Sequence, residues 1–185
     1  MLFLIVAAVV TAASPTPLGA APSLEHRQEQ LLDAARLGRT DLIGPLVASG
    51  ANVNGRDERG FTPIILASYN GHLETTEALI AAKGDPCLPD LDQGNTAQMG
   101  VAFRGYDSIA ALLLKAGCPV NARNKAGQTS LMMAALFGRQ AQIKMLVAAG
   151  GDPSILDAQG RSAASVAAGQ GDDAVVKQLG APPKR

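Results

Sequence analysis

The side chains in this sequence best equipped to hold a metal or attack a substrate are His26, His72, Cys87 and Cys118. A zinc site needs three or four such ligands converging on one point, and these four lie in different stretches of the chain. No metal site and no cofactor are expected. The sequence has no Gly-x-Ser-x-Gly nucleophile turn, no phosphate-binding loop and no dinucleotide fingerprint. The carboxylates Asp41, Glu74, Asp107 and Asp173 recur near the starts of expected helices, where negative charge favours the helix dipole. They read as solvated, structural groups, and no catalytic role is assigned to any residue.

The glycines explain why chemistry is absent, because they keep time with a repeat. Gly60, Thr62 and Gly71 are echoed by Gly94, Thr96 and Gly105, by Gly127, Thr129 and Gly138, and by Gly160, Ser162 and Gly171, in steps of 34, 33 and 33 residues. Such a period marks a solenoid in which each unit contacts its neighbours. Thr62, Thr96, Thr129 and Ser162 stand where a side-chain oxygen would cap a first helix, and Pro63 suits the first helical position. The small pairs Ala34-Ala35, Ala67-Ser68, Val101-Ala102, Ala134-Ala135 and Ala167-Ala168 let stacked helices approach closely. The apolar pairs Leu46-Val47, Leu79-Ile80, Leu113-Leu114 and Leu146-Val147 mark the buried stripe of a second helix. Gly50, Gly117 and Gly150 follow, where a left-handed residue would end that helix. Lys83 stands at the corresponding place in one unit, implying a strained cap or a different helix end. The extra residue of the 34-residue step falls between Leu88 and Gln93, so one turn is expected to be a residue longer than its neighbours, by drift in length or on a binding side.

These residues resemble the ankyrin-repeat family, whose unit reads Gly-x-Thr-Pro-Leu-His-x-Ala, then Gly-His, then Leu-Leu-x-x-Gly-Ala-Asp. Gly60-Phe61-Thr62-Pro63-Ile64-Ile65-Leu66-Ala67 with Gly71-His72 is the best copy. The motif's His is replaced by Ile65, Met99, Met132 and Ser165, and an earlier partial unit ends in Gly50-Ala51-Asn52-Val53-Asn54. The resemblance is to small bacterial exported members of the family. It implies an all-α helix-turn-helix solenoid of about five units with β-hairpin or turn fingers. The expected domain is 24–181, with units near 24–56, 57–90, 91–123, 124–156 and 157–181 and the two end units as caps.

In ankyrin-like stacks the fingers and inner helices form a concave face, and the resemblance places Phe61, Tyr69, Asn70, Phe103, Arg104, Leu136 and Phe137 on it, with Asn95, Gln128, Arg161 and Gln170. Aromatic and Arg side chains supply most of the affinity of protein interfaces. The same rings could instead cover the thin alanine-rich core. Arg59, Glu58 and Lys125, together with Arg56, Asp90 and Asp92, would form a polar rim at the finger tips. The expected function is recognition of a protein partner by a monomeric, non-catalytic module. An enzyme with an unrecognised site and a membrane-tethered scaffold are the alternatives.

Composition supports one solenoid domain, with 185 residues, 47% hydrophobic and 3% aromatic. Sixteen basic and sixteen acidic residues cancel, leaving no positive field to recruit nucleic acid or anionic lipid. Leu2 to Ala13 is apolar apart from Thr11, the size of a signal-peptide core and too short to span a bilayer. Residues 1–21 are therefore expected to be a signal peptide cut after Ala20 or Ala21, although no Lys or Arg precedes the apolar run; an uncleaved anchor or an extra helix is the alternative. The mature chain is expected in a bacterial periplasm, with residues 182–185 a disordered tail. By repeat alignment Cys87 and Cys118 fall on adjacent units. The reading preferred for them is two separate small, partly buried residues, with a disulfide possible where geometry allows.

Overall fold

The computed structural model describes residues 22–180; the expected signal peptide and C-terminal tail lie outside the described residues. Ten helices pair in chain order: α1 (Leu24–Leu37) with α2 (Thr40–Ala48), α3 (Pro63–Tyr69) with α4 (Leu73–Ala81), α5 (Ala97–Arg104) with α6 (Asp107–Lys115), α7 (Ser130–Leu136) with α8 (Gln140–Ala148), and α9 (Ala163–Gly169) with α10 (Asp173–Leu179). The odd-numbered helices stack on one another as an inner layer, and α2, α4, α6 and α8 stack behind them. No strand occurs among the described residues, so the array is all-α and the fingers are turns.

The inner helices start where the sequence says they should. Thr62, Thr96, Thr129 and Ser162 accept from the amides of Ile65, Met99, Met132 and Ser165 at 3.2–3.4 Å. Each cap residue is buried, so its oxygen satisfies an amide that water could not reach. The small pairs lie between layers, and Ala35, Ala67, Ala102 and Ala135 are fully buried. Ala168, on the last inner helix among the described residues, is exposed. The apolar pairs of the outer helices divide. Leu79, Leu113 and Leu146 are buried, while their partners Ile80 and Leu114 are half-buried and Val147 is exposed. The buried face lies one residue earlier than the predicted pairs: Thr75 and Thr76, Ile109 and Ala110, and Gln142 and Ile143 are buried with Leu79, Leu113 and Leu146, while in α2 Ile43 is buried and Leu46 and Val47 are half-buried.

The second helices end in left-handed residues. Gly50, Gly117 and Gly150 have positive φ, as does Lys83 at 70°. Lys83 donates its amide to Ile80 at 3.0 Å and Gly84 donates to Leu79 at 2.9 Å, the paired bonds of a Schellman end. The helix end is therefore the normal one, and the strain is confined to the Lys83 Cβ. Lys83→Gly removes a left-handed penalty of about 1–2 kcal/mol and adds roughly 0.5–1 kcal/mol of unfolded-state entropy. A net gain of about 0.5–1 kcal/mol is expected in chemical denaturation; a loss would contradict the strain.

Each finger is closed by one acidic or amide side chain. Asp57 Oδ1 accepts from the amides of Arg59 and Phe61 at 3.0 and 2.9 Å, and Asn124 and Asp157 accept the matching pairs in their own fingers. Asp90 does the same over one more residue, taking the amides of Gln93, Gly94 and Asn95. Its finger closes from Asp90 to Asn95, whereas the first closes from Asp57 to Phe61, so this turn is the longer one. Successive fingers are joined by Lys125 N–H to the Gln93 carbonyl at 2.8 Å and Ala158 N–H to the Ala126 carbonyl at 2.9 Å.

Asp157 makes the last finger sensitive to acid. Burial alone would raise its carboxyl, but the Arg161 amide, the Arg161 guanidinium and the Gln159 amide outweigh burial and hold it below the ordinary value. A folded pKa below the unfolded one, near 3.9, means that the carboxylate stabilises the fold above that pH, and the contribution disappears as pH falls through the folded value. Asp157→Asn keeps the two amide bonds and loses the titration. Its Tm is expected to fall less steeply than the parent's below about pH 4; equal slopes would remove Asp157 from the acid response.

Cys87 and Cys118 are disulfide-bonded, with a Cα–Cα distance of 5.2 Å. This replaces the preferred reading of two separate residues. Cys87 follows the end of α4 and Cys118 follows the end of α6, so side-by-side packing of these two helices brings the leads into successive fingers within bonding range.

Candidate functional site

The C-terminal ends of α3, α5 and α7 carry a ladder of rings. Tyr69 stacks on Phe103 with centroids 6.1 Å apart and planes at 19°, and Phe137 meets Phe103 edge-on at 4.6 Å. These rings are 39–40% exposed, so part of each faces solvent. They leave a broad apolar surface facing solvent. Phe137 stands one register position beyond the place equivalent to Phe103, which Leu136 occupies. Leu136 is half-buried and does not line the groove described next.

Beside the ladder runs an open groove of about 640 Å³ between the first full finger and the inner helices. Phe61, Tyr69, Asn70 and Phe103 line it, together with Ile65, Leu66, Met99, Gly100 and Met133. The Arg59 guanidinium lies over the Phe61 ring at 4.7 Å, and Arg104 lies over Tyr69 at 5.2 Å and Tyr106 at 5.6 Å. Arg104 also donates to the Tyr106 hydroxyl at 3.1 Å; that bond, with the charge of the same tyrosine, holds its pKa above the ordinary arginine value. Among the described residues neither Arg59 nor Arg104 has a carboxylate within ion-pair distance. Arg36, in contrast, pairs with Asp57 at 3.4 Å on the groove wall.

The predicted polar rim is only partly free. Lys125 Nζ donates to the Leu91 and Asp92 carbonyls at 2.8 and 2.6 Å, and Arg56 donates to the Gly60 and Pro89 carbonyls at 2.6 and 2.7 Å. Asp90 is buried. Lys125 and Arg56 tie neighbouring fingers together and Asp90 closes its own, because turn carbonyls and amides without a sheet partner need side-chain donors and acceptors. Glu58, Arg59 and Asp92 remain exposed. His72 is structural as well. Its Nε2 donates to the Arg36 carbonyl at 3.1 Å, and a Cβ at Gly38 would lie 2.6 Å from its ring.

The residues that sequence reasoning missed are those that shape the groove. Leu66, Gly100 and Met133 occupy one register position of α3, α5 and α7, at the 34- and 33-residue steps. Only the middle one lacks a side chain. The signal was present as a glycine inside a helix, where it is destabilising by roughly 1 kcal/mol relative to alanine.

Among the described residues no three His, Cys, Asp or Glu side chains converge as a metal set, and no helix is long and apolar enough to cross a membrane. A family model for ankyrin repeats (3 copies) matches residues 31–124 and again 98–182. The ankyrin repeat and KH domain-containing protein mask-1 of Caenorhabditis elegans is 30% identical over 101 residues, 54% of this chain and 4% of that protein. Ankyrin repeat domain-containing protein 63 of Mus musculus is 36% identical over 78 residues, covering 42% of this chain and 20% of its own. The mouse ankyrin repeat and SAM domain-containing protein 6 is 30% identical over 102 residues, 55% of this chain and 12% of the relative. The chain thus spans a fifth or less of these relatives' length. Since the matched stretches cover the helix pairs from α1 to α10 in the register of the period, the chain belongs to the ankyrin-repeat family.

Proposed function

We propose that this protein is a non-catalytic module that recognises a protein partner through its concave face, as an accessory or regulator of another protein in the bacterial cell envelope. Ankyrin repeats are protein-interaction modules, and the observation that carries the reading here is the Tyr69–Phe103–Phe137 ladder. Three adjoining rings left about two-fifths exposed form a kind of patch that a soluble fold hides unless a partner covers it. Flanking guanidiniums complete the aromatic-plus-arginine chemistry of binding hot spots. Export is favoured by the apolar leader sequence and by a disulfide between partly exposed cysteines, which persists in oxidising compartments.

The test is capture from cell-envelope extract by the native chain and by a Tyr69→Ala, Phe103→Ala, Phe137→Ala variant of unchanged helicity. Loss of hot-spot rings at about 2 kcal/mol or more each weakens binding at least 30-fold. Capture by the native protein alone supports the reading. Equal capture moves the site off this face, and an uncut cytosolic chain overturns the export.

A further inference from the structure

One position on the wall of the groove beside the ladder is a glycine inside a helix. Leu66 and Met133 flank Gly100 along the inner face, and Gly100 leaves a notch between them. The ring of Tyr69 packs against the bare glycine and forms one side of that notch; a Cβ built on Gly100 would sit 3.2 Å from Tyr69 Cδ2, closer than ordinary contact. Ile65, Leu66, Met99, Met133 and the rings of Phe61 and Phe103 form the apolar part of the wall; its two carboxylates are both engaged, Asp57 with Arg36 and with finger amides and Asp90 with the amides of Gln93, Gly94 and Asn95. Arg59, on Phe61, lines the groove at the finger end, and Arg104, outside the lining, lies over the Tyr69 ring that borders it. Both cations lack a carboxylate partner among the described residues.

We propose that the groove binds an extended, acidic peptide segment of the partner, with one large apolar side chain seated over Gly100 and carboxylates on either side of it reaching Arg59 and Arg104. This rests on the protein-binding reading above and adds the chemistry of the partner.

Charge decides the sign. A guanidinium stacked on a ring is held in a fixed plane and presents its edge to a carboxylate, which it grips with two parallel bonds. Two such groups with no internal counterion attract an acidic segment and repel a basic one. Geometry decides the spacing. The seven residues of α3 rise about 10 Å at 1.5 Å each, and Arg59 and Arg104 stand beyond its two ends along the groove. An extended chain advances about 3.3 Å per residue, so the acids belong three or four positions apart with the apolar residue between them. The volume, about 640 Å³, holds a large side chain with the neighbouring backbone, and the open side admits a continuous chain rather than enclosing a free small molecule.

The probe is a short synthetic peptide, acetyl-Gly-Glu-Ser-Phe-Glu-Gly-amide, titrated into the intact protein by calorimetry or tyrosine fluorescence. Changing its Phe to Ala, or both Glu to Lys, is expected to weaken binding at least tenfold. Gly100→Met restores a side chain like Met133, fills the notch and costs at least tenfold. Gly100→Ala adds only a methyl group, which the partly exposed Tyr69 ring accommodates by a small shift; it stiffens α5 and keeps most of the affinity, and near-parent helicity in both variants separates filling from misfolding. The Arg59→Glu, Arg104→Glu double variant is expected to prefer the Lys peptide over the Glu peptide.

The proposal falls if the peptides bind alike, if none binds, or if Gly100→Met binds as the parent does. It also falls if acetyl-phenylalanine amide alone binds as tightly as the whole peptide, since the site would then be a small-molecule pocket. Failure here with ladder-dependent capture of a partner intact overturns the peptide chemistry and leaves the interaction module standing. Loss of both overturns both.

Discussion

Replacing Cys87 and Cys118 together with serine, or reducing their bond, lowers the unfolding free energy by about 3–4 kcal/mol and Tm by roughly 10 °C. The bond closes a sequence separation of 31 residues, one full repeat. Loop-closure entropy for a loop of that size is about 12 cal/mol/K, or close to 3.7 kcal/mol at room temperature. Tm moves about 2–4 °C per kcal/mol in a domain this long. The effect is large because the bond restricts the unfolded chain over one full repeat. Each helix touches the units beside it, and the unfolded chain has no other covalent memory of the stacking. Thermal melts with and without reductant, followed by circular dichroism, measure it. A shift under about 2 °C would mean that the bond adds nothing beyond the packing of α4 on α6.

Much of the framework was legible in the sequence because each unit repeats the same local chemistry. Thr62, Thr96, Thr129 and Ser162 cap helices with their own side chains, so a single position tells the outcome. The longer finger was legible for the same reason, as one extra residue between two register marks. What escaped depends on distances between units. The repeat alignment put Cys87 and Cys118 on neighbouring units but could not say that their Cα atoms lie 5.2 Å apart. Lys125, Arg56 and Asp90 read as a polar rim at the finger tips, because a turn that lacks ladder partners gives no sign in sequence of which side chains will supply them. The aromatic face was found by looking for rings. The groove was missed because its decisive residue, Gly100, is an absence, visible only once Leu66 and Met133 stand on either side of it.

Truncating Leu146 to alanine is expected to cost about 2–5 kcal/mol and to break the unfolding transition in two. The buried apolar residues form two clusters. One runs from Leu31 to Leu113 and the other from Ala102 to Val175, meeting within the third helix pair. Leu146 is fully buried in the second, so its loss falls on α7 to α10. In a nearest-neighbour array such a loss is shared only as far as the interfaces transmit it, and the disulfide reinforces the other half. The two tyrosines and the absence of tryptophan make the halves separable. Tyr69 and Tyr106 both sit in the second and third helix pairs, on the side of the first cluster. In urea, Leu146→Ala should lose helical dichroism before tyrosine fluorescence changes, and reducing the disulfide should draw the two curves together by weakening the first half. Coincident curves in the oxidised variant would show that the interface between the clusters is strong enough to make all five helix pairs unfold as one unit, and the division of the core would then carry no energetic meaning.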